Sequence, residues 1–346
     1  MAHVTPDRID TEEELDEVLT RPRSVLVEFI KTLSSPLVIL GAGGKMGPTL
    51  AVLARRAAER AGHPLEVVAV SRFTDERARQ WLEARGVQTQ SLDLLDRAAC
   101  RELPDAAQVL SLVGRKFGTA DDAARTWAVN TLVPAQVAER YPRARLVVLS
   151  TGNVYPLVPV AGGGSVETDA LTPLGEYANA AVARERLCEF FSRQNGTPMT
   201  VLRLNYAVDL RYGVLVDVAR RVAAGEPVRL STGHVNCIWQ GDANEMILRS
   251  LALAQAPPRV LNLTGPAVLS VRELAVRLGE LLGQAVHFSG TEADTALLSN
   301  PARACALLGP PPTPLEQVLR WTAHWIKDGG RLLDKPTHFE VRDGSF

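Results

Sequence analysis

The chain has 346 residues, 38 Lys and Arg against 39 Asp and Glu, a formal charge of −1 and a pI near 6.6. That length can bury a full core and a second lobe, and the near-neutral balance lacks the basic field that a nucleic-acid partner would need. Cys100, Cys188, Cys237 and Cys305 form no Cys-x-x-Cys pair and the six histidines show no ligand spacing, so no metal is expected and the chain reads as a reduced, cytoplasmic protein.

Residues 1–35 read as a helical extension. Thr11 is placed to cap a helix from Glu12 to about Thr20, with acidic residues at its positive end, and Val25 to Leu33 offers a second short helix. The acidic start, with Asp7, Asp10, Glu12, Glu13 and Glu14, does not suit a signal peptide. No apolar run approaches the roughly eighteen residues that cross a bilayer, so no membrane partner is expected.

Leu37 to Leu40 then reads as a strand running into Gly41-Ala42-Gly43-Gly44-Lys45-Met46-Gly47, followed by a helical pattern from Thr49 to Arg60. A strand, a glycine turn and a helix N-terminus together make a pyrophosphate cradle: glycines let the backbone approach the anion, and free N–H groups at the positive end of the helix dipole hold it. The ligand this implies is a dinucleotide. Further strands are expected at Leu65 to Ser71, Ala107 to Val113, Arg145 to Ser150 and Met199 to Leu204, with helices between them. Gln88 to Leu92 is more polar and is placed by its position. Beyond them come a glycine loop, Ala161 to Ser165, and helices from Leu215 to Ala224, Ser270 to Leu282 and Pro314 to Lys327. The last carries Trp321 and Trp325 after the proline-rich connector Gly309 to Pro314.

The expected fold is α/β, a doubly wound parallel Rossmann sheet with helices on both faces and a smaller C-terminal substrate lobe. Residues 36–204 form the dinucleotide-binding domain, with 235–262 returning to it, and 205–234 and 263–346 form the substrate lobe and tail.

From Leu37 to about Gly265 these residues resemble the extended short-chain dehydrogenase/reductases, the NAD-dependent epimerase/dehydratase group. Gly41, Gly44 and Gly47 match that family's glycine cradle. The resemblance puts Gly43, Lys45, Met46, Val113 and Gly114 at the cofactor and Asp93-Leu94 against its adenine. Asn130, in Trp127-Ala128-Val129-Asn130, matches a helix asparagine that shapes the active site. Ser150-Thr151-Gly152-Asn153-Val154-Tyr155 resembles the segment carrying the catalytic hydroxyl, and Tyr177, 26 residues after Thr151, falls where the catalytic tyrosine belongs. Hydride transfer builds or removes charge on the substrate oxygen, so Tyr177 would give or take a proton there while Thr151 steadies the oxygen. The plain alternative is a half-buried helix tyrosine and a strand-end threonine.

Where the family places a lysine one helical turn beyond the tyrosine, this chain has Ala181. That lysine touches the nicotinamide ribose and favours the phenolate. Three cations are candidates to replace it: Lys116 first, since its loop leaves the fourth strand near the ribose, then Lys45 and Arg184. Lys116 reads equally as a solvated loop lysine, and Arg184 and Arg186 as surface charges paired with Glu185 or a neighbouring subunit.

Ser71-Arg72 at the end of the second strand suits a 2′-phosphate, which favours NADP; NAD remains the alternative, with Arg72 stacked over adenine. Asn153, Asn205, Arg211 and Trp239 are the expected substrate contacts, whereas Asp242 reads as a helix cap and His338 as structural or solvated. The function implied is an NAD(P)-dependent oxidoreductase or epimerase acting on a sugar, sugar nucleotide or similar polyhydroxylated carbonyl compound. The 4,6-dehydratase branch is not expected, because Gly152-Asn153 stands where its members carry Asp-Glu. The competing readings are a dinucleotide-binding sensor without catalysis, motivated by Ala181, and a structural subunit. The resemblance also implies a homodimer through the helices of Asn130 and Tyr177, with Trp127, Leu132, Val182 and Leu187 at the contact.

Overall fold

The computed structural model describes residues 6–116, 118, 121–335 and 337–344, so the first five residues of the expected N-terminal extension lie outside the described residues. Seven strands form one parallel sheet: β1 (Leu37–Leu40), β2 (Val67–Ser71), β3 (Gln88–Ser91), β4 (Gln108–Ser111), β5 (Arg145–Thr151), β6 (Met199–Leu204) and β7 (Arg259–Leu263). Their spatial order is β7-β6-β5-β4-β1-β2-β3. The order reverses beside β1, and in an open α/β sheet the crevice beyond the carboxyl ends at that switch point is where ligands bind.

Both faces of the sheet are covered, which explains why its central strands read as unbroken apolar runs. Along β1, Leu37 and Ile39 enter one hydrophobic cluster while Val38 and Leu40 enter another, the period-two alternation of a pleated strand. The first face packs against α2 (Ser24–Ile30), α3 (Gly47–Ala61), α8 (Gln240–Arg249) and α10 (Ala302–Leu308). The second packs against α5 (Ala123–Arg140) and α6 (Gly175–Asn195). β3, beside α4 (Glu76–Glu83), is one of the two edge strands, and its Gln-Thr-Gln-Ser sequence is at most half-buried, so polarity there costs nothing in the core.

A third cluster gathers α1 (Glu12–Thr20), α7 (Val214–Ala223), α9 (Val271–Leu282) and α11 (Leu315–Lys327). α1 begins with a full capping box, in which the Thr11 hydroxyl accepts from the Glu14 amide while the Glu14 carboxylate accepts from the Thr11 amide. Ser270 caps α9 through the Glu273 amide.

Asp242 is a correction to the sequence reading. It lies two residues inside α8, whose N-terminus has no side-chain cap, and its carboxylate accepts from the amide and hydroxyl of Thr313 at 3.0 and 2.9 Å. Burial pushes its pKa up to about 6 against those two hydrogen bonds.

Candidate active site

Two neighbouring cavities open at the carboxyl edge of the sheet. The larger, about 470 Å³, runs from the glycine turn past Ser71, Arg72, Asp93 and Leu94 to Val113 and Gly114. It therefore brings together the adenosine-side residues expected of the cofactor site. The turn itself needs glycine for two reasons. Gly41 has φ +79°, and a Cβ on Gly47 would stand 2.4 Å from the Ala42 carbonyl oxygen, so the turn is pressed onto the first residue of α3. No side chain caps α3, which leaves its first-turn N–H groups to a ligand. These residues fit the pyrophosphate of a dinucleotide.

The second cavity, about 260 Å³, shares Gly41 and Gly44 and extends to the substrate side. Thr151 at the end of β5, Asn153 beyond it, Tyr177 in the first turn of α6 and Asn205 after β6 all line it. Each has a local cause. The Thr151 hydroxyl donates to Asn153 Oδ1 at 3.0 Å and accepts from the Asn153 amide at 3.2 Å, which closes the 3₁₀ turn after β5. Asn205 Nδ2 donates to Asn236 Oδ1 at 2.8 Å. Beneath them the Ser150 hydroxyl donates to Glu185 at 2.5 Å, and Glu185 forms a buried bidentate pair with Arg203 at 2.6 and 3.0 Å. That pair binds α6 to β6 and fixes the helix that presents Tyr177.

Asn130 lines neither cavity. Fully buried, it donates to the Arg115 and Thr126 carbonyls at 3.0 and 2.8 Å, so it holds the loop after β4 against α5.

Arg184 is a second correction. Its side chain is buried: Nη1 donates to the Leu149 carbonyl at 2.5 Å and Nη2 to Asn130 Oδ1. A Cβ on Gly114 would lie 3.0 Å from Nη2, so the guanidinium lies directly behind the loop that closes both cavities. Arg186 is exposed, as expected, and pairs with Glu189 at 3.2 Å, not with Glu185.

Lys116 and Lys45 both line the Tyr177 cavity. Lys45, expected at the cofactor, turns its side chain to the substrate side: Nζ donates to the Ala207 carbonyl at 2.8 Å and lies 4.3 Å from the centre of the Tyr212 ring. Lys116 Nζ lies 5.8 Å from the centre of the Tyr206 ring. Burial pushes both ammonium groups down to about 8, with Lys45 adding to the effect on Lys116 and Asp209 opposing it on Lys45.

Two expected substrate contacts lie elsewhere. Arg211 pairs with Asp16 of α1 at 3.0 Å and with Asp209 at 3.6 Å, which anchors α1 to the loop after β6. Trp239 packs 5.3 Å from Trp321 and faces a separate cavity beside Leu19, Arg23 and Asp242. Conversely, Tyr206, Tyr212 and Thr337 line the Tyr177 cavity without having been expected there. Tyr206 directly follows Asn205, and its backbone has φ +44°, which no composition signal announces. Thr337 belongs to a tail docked through Asp217, whose carboxylate accepts from its amide at 3.0 Å and its hydroxyl at 2.5 Å.

A model of the NAD dependent epimerase/dehydratase family matches residues 37–262. No curated protein matches the chain in sequence. Among solved structures, the UDP-glucose 4-epimerase of Thermotoga maritima with UDP-glucose is 18% identical, with a TM-score of 0.68 over 85% of this chain and 99% of that one. The UDP-glucose 4-epimerase of Thermus thermophilus in complex with NAD is 21% identical, with a TM-score of 0.68 over 85% and 99%. The UDP-glucuronic acid 4-epimerase of Bacillus cereus in complex with NAD is 20% identical, with a TM-score of 0.69 over 84% and 96%. At such identities the likeness shows the fold, a parallel Rossmann sheet flanked by helices.

Proposed function

Because the chain belongs to the NAD-dependent epimerase/dehydratase family, we propose that it is an NAD(P)-dependent epimerase or oxidoreductase acting on a sugar nucleotide or similar polyhydroxylated carbonyl compound. The observation that carries this reading is one cavity walled by the glycine cradle on one side and by Thr151 and Tyr177 on the other. When bound, the nicotinamide supplies the hydride acceptor or donor. Tyr177 then exchanges a proton at its phenolic oxygen with the substrate hydroxyl, and Thr151 orients that oxygen by a hydrogen bond. Asn153 and Asn205 hold neighbouring substrate hydroxyls, and Lys116 supplies the cation near the nicotinamide ribose. Asn130 acts through the loop it holds.

A second reading, a dinucleotide-binding sensor, is favoured by Ala181, which is buried against Val154 and Tyr155 where the family's lysine would stand. We also propose a homodimer through α5 and α6, supported by the exposed side chains of Trp127, Leu132 and Phe190 on those helices. One native mass spectrum of the purified protein tests these points together. It should show twice the 37.4 kDa chain mass with a dinucleotide and a sugar nucleotide retained. A dinucleotide alone favours the sensor, and a ligand-free monomer overturns both proposals.

NADP is the proposed cofactor, since Arg72 and Ser71 line the groove at the end of β2. Arg72→Ala should weaken NADPH binding by about 1.5–3 kcal/mol, the range for hydrogen bonds to charged groups, and leave NADH nearly unchanged. Calorimetric titration with each cofactor checks this, and equal losses would remove the phosphate contact.

A further inference from the structure

Residues 337–344, outside the stretch that matches the family, run from α7 to the start of α6 and are tied down along the way. At α7, Asp217 Oδ2 accepts from both the amide and the hydroxyl of Thr337 at 3.0 and 2.5 Å. Phe339 then enters the cluster that joins α7 to α11. Further on, Arg342 donates to the Ser231 and Thr295 carbonyls at 3.2 and 2.8 Å and to the Thr295 hydroxyl at 2.7 Å. At the far end a Cβ on Gly175 would stand 2.9 Å from the Gly344 carbonyl carbon, so the segment lies against the first residue of the helix that presents Tyr177.

The tie at α7 stands between two spaces. Thr337 lines the Tyr177 cavity, while Asp217 lines a groove of about 530 Å³ whose other walls are Arg220, Arg221, Arg229 and residues 338–341 of the segment itself. The two spaces therefore meet across one pair of hydrogen bonds. The Tyr177 cavity by itself, about 260 Å³, falls below the roughly 300–1,000 Å³ of ordinary small-molecule sites, and the groove beyond the tie would supply the missing room.

The ties are of a kind that can open. Phe339 is the one buried apolar side chain among residues 337–344. Glu340 reaches Arg221 and Arg229 only at 3.5 and 3.7 Å, and such long pairs to part-exposed arginines hold weakly. His338, directly after Thr337, has φ +55°, a conformation that a residue with a Cβ adopts only under constraint. We propose that residues 337–344 form a displaceable strap: latched on Asp217 it closes the Tyr177 cavity, and the substrate enters when the latch opens and the cavity joins the groove. The proposal rests on the epimerase or oxidoreductase reading for what enters, and on the chain's own contacts for the closure. Latching lowers the apparent affinity and association rate in proportion to the open fraction.

Hydrogen exchange on the whole chain with saturating NAD reads the latch directly. The Thr337, Phe339 and Val341 amides are all hydrogen-bonded in the latched segment, and they should exchange at least about tenfold faster than those of α11, because a strap opens without unfolding the lobe beneath it. Asp217→Ala removes the acceptor of both Thr337 bonds, and Arg342→Ala releases the far end; each should speed that exchange by about tenfold or more and leave α11 unchanged. Acetylation of Lys45 by acetic anhydride, followed by mass spectrometry, reports access to the cavity without any substrate and should quicken about fivefold or more in either variant. Association of UDP-glucose, measured by stopped flow, should quicken alike. Arg342 lines neither space, so its effect would not come from a lost ligand contact. If Asp217→Ala does not fold, as judged by circular dichroism, Arg342→Ala carries every expectation. The strap is overturned if the three amides exchange in step with α11, or if neither variant quickens acetylation of Lys45. Slower association of UDP-glucose in the variants would also overturn it, since the segment would then be a fixed wall that helps to hold the ligand. If exchange and acetylation behave as expected and no form binds UDP-glucose, the strap stands and the sugar-nucleotide reading falls.

Discussion

Tyr177→Phe is expected to lower turnover by roughly two to four decades, the contribution of a positioned acid or base, while the affinity for NAD(P) changes by no more than about twofold. The substitution removes one oxygen from a buried ring and leaves the ring in place, so it should act on turnover far more than on the fold. Thr151→Ala removes the hydroxyl proposed to orient the substrate oxygen and also frees the Asn153 amide from its acceptor, so it should cost activity together with some local order. The comparison is informative because the two effects separate: phenylalanine should act mainly on turnover, and alanine on turnover and on the local turn alike. Steady-state rates with a substrate found by mass spectrometry, set beside melting curves, decide the matter. Turnover of the phenylalanine variant within a factor of about three of the unaltered protein would remove Tyr177 from the chemistry.

How far the sequence can be read differs between the sheet and the site, and the reason is physical. β1, β2 and β5 are legible because both faces of the sheet are buried and the central residues of each strand are apolar. β3 is an edge strand with polar residues, so only its place between α4 and β4 betrays it. β7 pairs with β6 from more than fifty residues away, and its sequence is cut off from the βαβ rhythm that announces the others. In the site, Thr151 and Tyr177 are legible from order and spacing. Arg184 was misread because its position seven residues after Tyr177 does not reveal that Asn130 and the Leu149 carbonyl, both far off in the chain, accept its hydrogen bonds. Arg211 looks like a pocket residue until Asp16, 195 residues earlier, is found to claim it. Thr337 was invisible for the same reason, since only the docking of the tail on Asp217 brings it to the cavity. Local pattern reports what the backbone must do, whereas long-range pairing decides where a polar side chain goes.

The cradle permits an equally large prediction with a built-in control. A methyl group at position 47 would stand 2.4 Å from the Ala42 carbonyl oxygen and 2.5 Å from its Cα, both backbone atoms that cannot swing aside. Gly47→Ala must therefore push the glycine turn off the N-terminus of α3, and those are the two elements that would share the pyrophosphate. NAD(P) affinity should fall by about a hundredfold or more, with a loss of stability of about 1–3 kcal/mol from overpacking. Gly62 closes the other end of the same helix with φ +61° and has nothing within 4 Å of a Cβ built on it. Gly62→Ala should thus cost on the order of 1 kcal/mol of backbone strain and leave cofactor affinity unchanged. Denaturant unfolding without cofactor and fluorescence titration with NADPH separate the two effects. If both variants lose stability alike and both bind the dinucleotide as the unaltered chain does, the turn between β1 and α3 is not its cradle.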